Sequence, residues 1–134
     1  MKITFPGGKR VHAEYRGFTI ETDQSQSSGG DGSAPSPFSL FLASLGTCTG
    51  YYVLAFCQKR DIPTDDIYLQ LKTTRDEATH RVQRVDIEVH LPVSFPARYV
   101  NACVKSAEQC AVKRHLHEPP EIALTAVSAV GASE

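Results

Sequence analysis

The stretch from Ser36 to Pro63, SPFSLFLASLGTCTGYYVLAFCQKRDIP, decides how this chain is built. Ser36 has the side-chain oxygen that caps a helix start, and Pro37 suits the first helical position. No charged residue occurs over the 20 positions from Phe38 to Cys57. Lys59 and Arg60 then place cations where a helix dipole favours them, and Pro63 stops the run. The stretch predicts a helix from Ser36 to Lys59 or Arg60, apolar nearly all round. A soluble helix of that kind is central and covered on most sides. Its length would also span a bilayer. Ser39, Ser44, Gly46, Thr47, Thr49 and Gly50 dilute its hydrophobicity, however, and the flanking segments are amphipathic elements that need something to bury against. The expectation is a core helix and no membrane.

Outward towards the N-terminus the pattern is β. Ile3 and Phe5 precede a Pro6-Gly7-Gly8 turn signal. Val11, Ala13 and Tyr15 alternate with polar residues, as do Phe18, Ile20 and Thr22. Arg16-Gly17 separates these two runs as a two-residue hairpin loop would. Residues 23–34 are polar and rich in Gly and Ser, which reads as a flexible loop.

Outward towards the C-terminus, Ile67, Leu69 and Leu71 predict one half-buried strand, and Val85, Ile87, Val89 and Leu91 a second. The polar segment TRDEATHRVQR joins them as a long hairpin. Pro96 opens a second helix of about five turns. Tyr99, Val100, Cys103, Ala107, Cys110 and Ala111 form its inner face. Pro119-Pro120 stops it, and Ile122, Leu124 and Val127 suggest a last strand. The order is βββ-α-ββ-α-β, an α+β arrangement with one sheet carrying the helices. A single domain over 1–134 is expected.

Composition narrows the functional classes. The 134 residues carry a net charge of −1, with 41% apolar and 22% charged residues. These are globular values, not those of a disordered chain. Near-neutral charge gives no electrostatic reason to bind nucleic acid. No basic-then-apolar leader is visible at Met1–Pro6, so a cytoplasmic location is expected. The four cysteines are the unusual feature.

Cys48 and Cys57 fall on the first predicted helix, and Cys103 and Cys110 on the second. Along a helix the first pair lies roughly 13 Å apart and the second about 10 Å. A disulfide needs Cα atoms within about 7 Å. Any intrachain bridge must therefore join the two helices, which leaves two complete pairings open. Cys48 sits among Ser44, Gly46, Thr47, Thr49 and Gly50. Two glycines in a helix cost roughly 1 kcal/mol each relative to alanine. Close approach of a backbone or ligand to the Cys48 sulfur would offset that. Cys57 and Cys103 read as small core residues. Lys113 and Arg114 stand three and four residues after Cys110, where they could favour a thiolate. Cys110, His115 and His117 do not match zinc-ligand spacing, so no metal is expected.

Two segments, APSPFSLFLASLGTCTG (Ala34–Gly50) and AEQCAVKRHL (Ala107–Leu116), resemble the two cysteine motifs of the OsmC/Ohr superfamily, the osmotically inducible and organic hydroperoxide resistance proteins. The resemblance extends over most of the chain. It implies an OsmC-like fold in an intertwined homodimer with active sites at the subunit interface. It implies thiol-dependent reduction of organic hydroperoxides, with Cys48 as the peroxidatic thiolate and Cys110 as the resolving cysteine. A dithiol, lipoyl-linked in some members, would be the reductant, and no cofactor is implied. Hydroperoxide-resistance members carry a glutamate directly after the helix-opening proline, where this chain has Phe38. That glutamate orients an arginine from the N-terminal region, for which Arg10 and Arg16 are the candidates. Two other readings differ in kind. One is a non-catalytic binding module with Phe38, Tyr51 and Tyr52 lining an apolar pocket. The other is a different cysteine chemistry, acyl or disulfide transfer.

Overall fold

The computed structural model describes residues 1–129. The end of the expected 1–134 domain, residues 130–134, lies outside the described residues. The central helix, α1 (Pro37–Gln58), starts as its sequence dictates: Ser36 Oγ accepts from the Ser39 N–H at 3.1 Å, with Pro37 at the first position. Leu45, Thr49, Val53, Phe56 and Cys57 form its one fully buried stripe. Arg60 closes the far end by donating to the Phe56 carbonyl at 3.2 Å, its guanidinium 3.7 Å from the Phe56 ring centre.

Three antiparallel strands precede α1: β1 (Lys2–Gly7), β2 (Arg10–Tyr15) and β3 (Phe18–Thr22), in the order β1-β2-β3. Arg16 and Gly17 join β2 to β3 with φ of 49° and 82°, the two positive values that a tight hairpin of matching twist requires. The strands β4 (Tyr68–Arg75) and β5 (Val82–His90) form a separate antiparallel pair. The single sheet expected from the sequence is thus two sheets, because α1 intervenes and no strand pairs across it. The β4–β5 ladder also runs further than the apolar alternation indicates, to Arg75 opposite Val82. Asp76 caps the turn beyond, accepting from the N–H groups of Ala78 and Thr79, the Thr79 hydroxyl and the Gln83 amide.

The loop over 23–34 is not the loose segment its composition suggests. Asp23 is completely buried and accepts from the Gln24, Asp31 and Ser33 N–H groups and the Ser33 hydroxyl. The two Ser33 bonds do most to hold its carboxyl down at about 2 against the opposing effect of burial, with Gln24 and Asp31 adding to them. Gly30 is required here, since a Cβ would lie 2.1 Å from the Gln24 carbonyl oxygen.

The second long helix is broken. After a 3-10 turn at Ala97–Tyr99 come α2 (Val100–Ala107) and α3 (Ala111–His117). Cys110 leaves the helical region, with φ −47° and ψ 120°, and caps α3. Beyond α3 the expected last strand is not formed among the described residues. Ile122, Leu124 and Val127 are 89%, 97% and 94% exposed, because their alternating pattern finds no ladder partner among the described residues.

The core lies where α1 meets α2. Val53, Phe56, Cys57, Phe95, Cys103 and Ala107 are its buried members, flanked by Leu69 and Val89 of the β4–β5 pair. Gly46 and Gly50 face the ends of Leu71 and Leu69, which a Cβ at either glycine would meet at an ordinary 3.8 or 3.9 Å. They lie against the β4 leucines and not against the Cys48 sulfur, as their sequence position suggested. The N-terminal sheet stays outside this core, with Ile3, Phe5 and Phe18 exposed. The opposite side of α1 is open too, at Phe38, Tyr51 and Leu54, so the helix is not covered on most sides within one chain.

Candidate thiol site

Two cysteine pairs bridge α1 to the helices packed on it, and all four thiols are free. Cys48 lies in the middle of α1 and is half-buried, while Cys110 at the α3 N-cap is fully buried. The Cys48 side chain stands near enough to Cys110 to help hold its thiol down. The Cys110 sulfur also accepts from the Lys113 N–H at 3.5 Å. The helix break creates this bond, because only a residue in the capping position turns its side chain back onto the free N–H groups of the first turn.

The Cys110 thiol balances opposed effects. Burial pushes it up, while hydrogen bonds from the Lys113 N–H, the Cys48 side chain, the Thr49 side chain and the Val112 N–H outweigh that and bring it below the ordinary thiol range. The Lys113 and Arg114 side chains, which the sequence suggested for this role, are not among those donors: the backbone of Lys113 acts instead. Thr49 is a contributor that sequence reasoning missed. It is buried one residue from Cys48, and its one hydroxyl proton serves either the Leu45 carbonyl, 2.7 Å away, or the Cys110 sulfur.

The second pair has the opposite character. Cys57 and Cys103 are both completely buried. Burial is the largest influence on both and pushes both thiols up; Cys57 is pulled back first by Cys103 and then by Arg60, while Cys103 is pushed further up by Cys57 and pulled back by Arg60. The two remain core residues, as their sequence setting indicates.

The remaining sequence candidates are distributed as follows. Arg10 pairs with Asp31 at 3.6 Å, and Arg16 lies over the Tyr15 ring. The chain brings neither to the thiols. Phe38 stacks at a tilt on Phe41, with ring centres 5.4 Å apart, and carries the Arg75 guanidinium 5.7 Å from its own ring centre. Tyr51 and Tyr52 pack edge to face on each other, 5.4 Å apart, and do not join Phe38 in one pocket. His115 Nδ1 lies 2.7 Å from the Ala111 carbonyl, an ordinary helix-surface contact. Among the described residues no cluster of three metal-ligating side chains forms.

With this geometry in view, comparison with known proteins gives a consistent result. The OsmC-like protein family model matches residues 30–125. A crystal structure from Psychrobacter arcticus 273-4, described as an osmotic stress induced and detoxification response protein, superposes with a TM-score of 0.72 at 22% identity, covering 84% of each chain. An organic hydroperoxide resistance protein OsmC from Legionella pneumophila, described as a predicted redox protein, superposes with a TM-score of 0.58 at 18% identity, covering 86% of this chain and 85% of the other. At these identities the structural likeness concerns the fold. No curated protein sequence matches the chain.

Proposed function

The chain belongs to the OsmC-like protein family, and from that premise we propose that it is a thiol-dependent peroxidase that reduces organic hydroperoxides through Cys48 and Cys110. The observation that carries the reading is that Cys48, half-buried, stands near enough to the fully buried Cys110 to lower its thiol together with the Lys113 N–H. Cys48 is the sulfur a substrate can reach. Cys110 is the one whose negative charge the protein stabilises.

This division suggests how Cys48 is activated. Cys110 as thiolate accepts the proton of the neighbouring Cys48. The Cys48 thiolate attacks one peroxide oxygen and the O–O bond breaks. The Cys48 sulfur becomes a sulfenic acid and the leaving alkoxide takes the proton held by Cys110, forming an alcohol. Cys110, again a thiolate, then attacks the sulfenic sulfur, forming the Cys48–Cys110 disulfide, and the displaced hydroxide takes a proton to leave as water. A small dithiol, of lipoyl type, reduces that disulfide by exchange and becomes a disulfide itself. No arginine is needed for the first proton transfer, which suits a chain with Phe38 in place of the glutamate that orients one.

The working unit in this reading is an intertwined homodimer in the cytoplasm. The exposed faces of the N-terminal sheet and of α1 support it, since Phe5, Phe18 and Tyr51 are 82%, 72% and 62% exposed. Apolar surface of that extent commonly marks an interface. Helix α1 is also long and apolar enough to cross a membrane; the core that Val53, Phe56 and Cys57 form with Cys103 and Ala107, with Leu69 and Val89 packed against it, favours a packed helix instead. The test is consumption of cumene hydroperoxide with dihydrolipoamide as reductant. The reading predicts turnover that is absent in Cys48→Ser. Equal consumption by that variant would overturn it.

A further inference from the structure

Cys110 holds two places at once. It is the thiol proposed to close a disulfide with Cys48, and it is the N-cap of α3. Its sulfur accepts from the Lys113 N–H at 3.5 Å, and its carbonyl accepts from the Arg114 N–H at 3.0 Å, the first bond of the helix. Little else in the chain holds α3. It has seven residues, Ala111–His117, and none of them is buried. Ala111 and Val112 are half-buried, while Lys113 to His117 are exposed throughout. Residues 118–129 beyond it are exposed as well and form neither helix nor strand. A helix this short is unstable by itself in water, so its cap decides much of its stability. The neighbouring α2 differs, because it buries Cys103 and Ala107 in the core against α1.

We propose that closing the Cys48–Cys110 disulfide uncaps α3 and releases it, so that the redox state of the thiols sets whether this helix is docked. The proposal rests on the peroxidase reading for the formation of that disulfide. In that step the Cys110 thiolate gives an electron pair to the Cys48 sulfenic sulfur. The S–S bond forms, the S–O bond breaks, and hydroxide leaves and takes a proton to become water. The Cys110 sulfur thereby loses its negative charge. A thiolate at a helix N-terminus is favoured by the dipole and by charge-assisted bonds from first-turn N–H groups. A disulfide sulfur is neutral and a weak acceptor, so the cap at Lys113 is lost. Helix α2 keeps its core contacts, and the release stops at the break. The consequence falls on the second half of the cycle. Cys110 is completely buried with its thiol free, and a reducing thiolate must reach a disulfide sulfur to attack it. Release of α3 bares the Cys110 sulfur only after oxidation. A dithiol then attacks that sulfur and expels the Cys48 thiolate. Its second thiolate displaces Cys110, which leaves as a thiolate, and the dithiol departs as a disulfide. The restored Cys110 thiolate caps α3 again.

The experiment is hydrogen–deuterium exchange of the intact protein before and after one equivalent of cumene hydroperoxide, read by peptide mass spectrometry. The Cys48–Cys110 disulfide is quantified in the same samples. Amides from Arg114 to Glu118 should exchange about fivefold faster or more in the oxidised protein, the scale of a lost N-cap. Those of α1 and α2 should keep their protection, which also shows that each sample is folded. Two variants test the cap without relying on turnover. Reduced Cys110→Ala should show the same fast exchange in α3. Cys110→Ser keeps a capping oxygen and cannot form the bridge, so its α3 should stay protected with or without peroxide. A disulfide formed with α3 exchange unchanged would overturn the switch and leave the peroxidase reading standing. So would a protected α3 in Cys110→Ala, or peroxide-dependent loosening of α3 in Cys110→Ser. Failure of the disulfide to form would overturn the peroxidase reading and the switch together.

Discussion

Two thiol pairs join α1 to the helices that cover it, and they differ in everything except their sulfur atoms. Cys57 and Cys103 meet within the regular helices α1 and α2, where burial raises both thiols and Arg60 offsets it only in part. Cys48 and Cys110 meet where the helix breaks, and the backbone N–H donors that the break supplies, with the Cys48 and Thr49 side chains, outweigh burial at Cys110. Burial alone makes a cysteine inert. Burial together with directed donors makes one a stabilised anion. The contrast between the pairs is therefore one of backbone geometry as well as of side-chain neighbours.

The largest expected effect separates the pairs by function. Cys48→Ser or Cys110→Ser should reduce hydroperoxide turnover to the uncatalysed background, while a Cys57→Ala, Cys103→Ala double variant should retain it, measured by peroxide consumption. The same double variant should lose stability instead. Each deletion removes one buried heavy atom and costs about 1 kcal/mol, read as a lower denaturant midpoint. Turnover lost with the double variant, at unchanged folding, would break the comparison.

The pairs should also separate by pH. Cys110 is held below the ordinary thiol value of 9.0, so its anionic form stabilises the fold above that value. This stabilisation is lost as pH falls through the lowered value. Cys57 and Cys103 are held above 9.0, so their neutral forms stabilise the fold below it. This second contribution is lost as pH rises through the raised values. Iodoacetamide labelling of the native protein should modify Cys48, the one thiol that is not fully buried, and spare Cys57, Cys103 and Cys110 until the chain unfolds. Thr49→Val should have the smallest effect. It removes one donor at Cys110 and conserves shape, so it should raise the pH midpoint of turnover and slow the reaction at neutral pH by at most roughly tenfold.

The parts of the molecule differ in how legible they are in the sequence. Helix α1 is readable because Ser36, Pro37 and an uncharged run all state the same structure locally. The Arg16-Gly17 hairpin is readable for the same reason. The break at Cys110 is not, because no proline or glycine marks it; it comes from the tertiary packing that buries Cys103, Ala107 and Cys110 against α1. The order around Asp23 is hidden by a Gly- and Ser-rich composition that permits either a loose loop or a tightly bonded one. The pattern at Ile122, Leu124 and Val127 misled, because alternation alone does not make a strand and none forms there among the described residues. For the site, spacing limits any disulfide to a bridge between helices. It does not reveal Thr49 or the backbone donors that distinguish one pair from the other.

The most direct test treats the reduced protein with one equivalent of cumene hydroperoxide, quenches free thiols with an alkylating agent and maps the products by peptide mass spectrometry. The account predicts one Cys48–Cys110 disulfide, with Cys57 and Cys103 alkylated after unfolding. A disulfide between any other two cysteines, or Cys48 and Cys110 both recovered as free thiols, would contradict it.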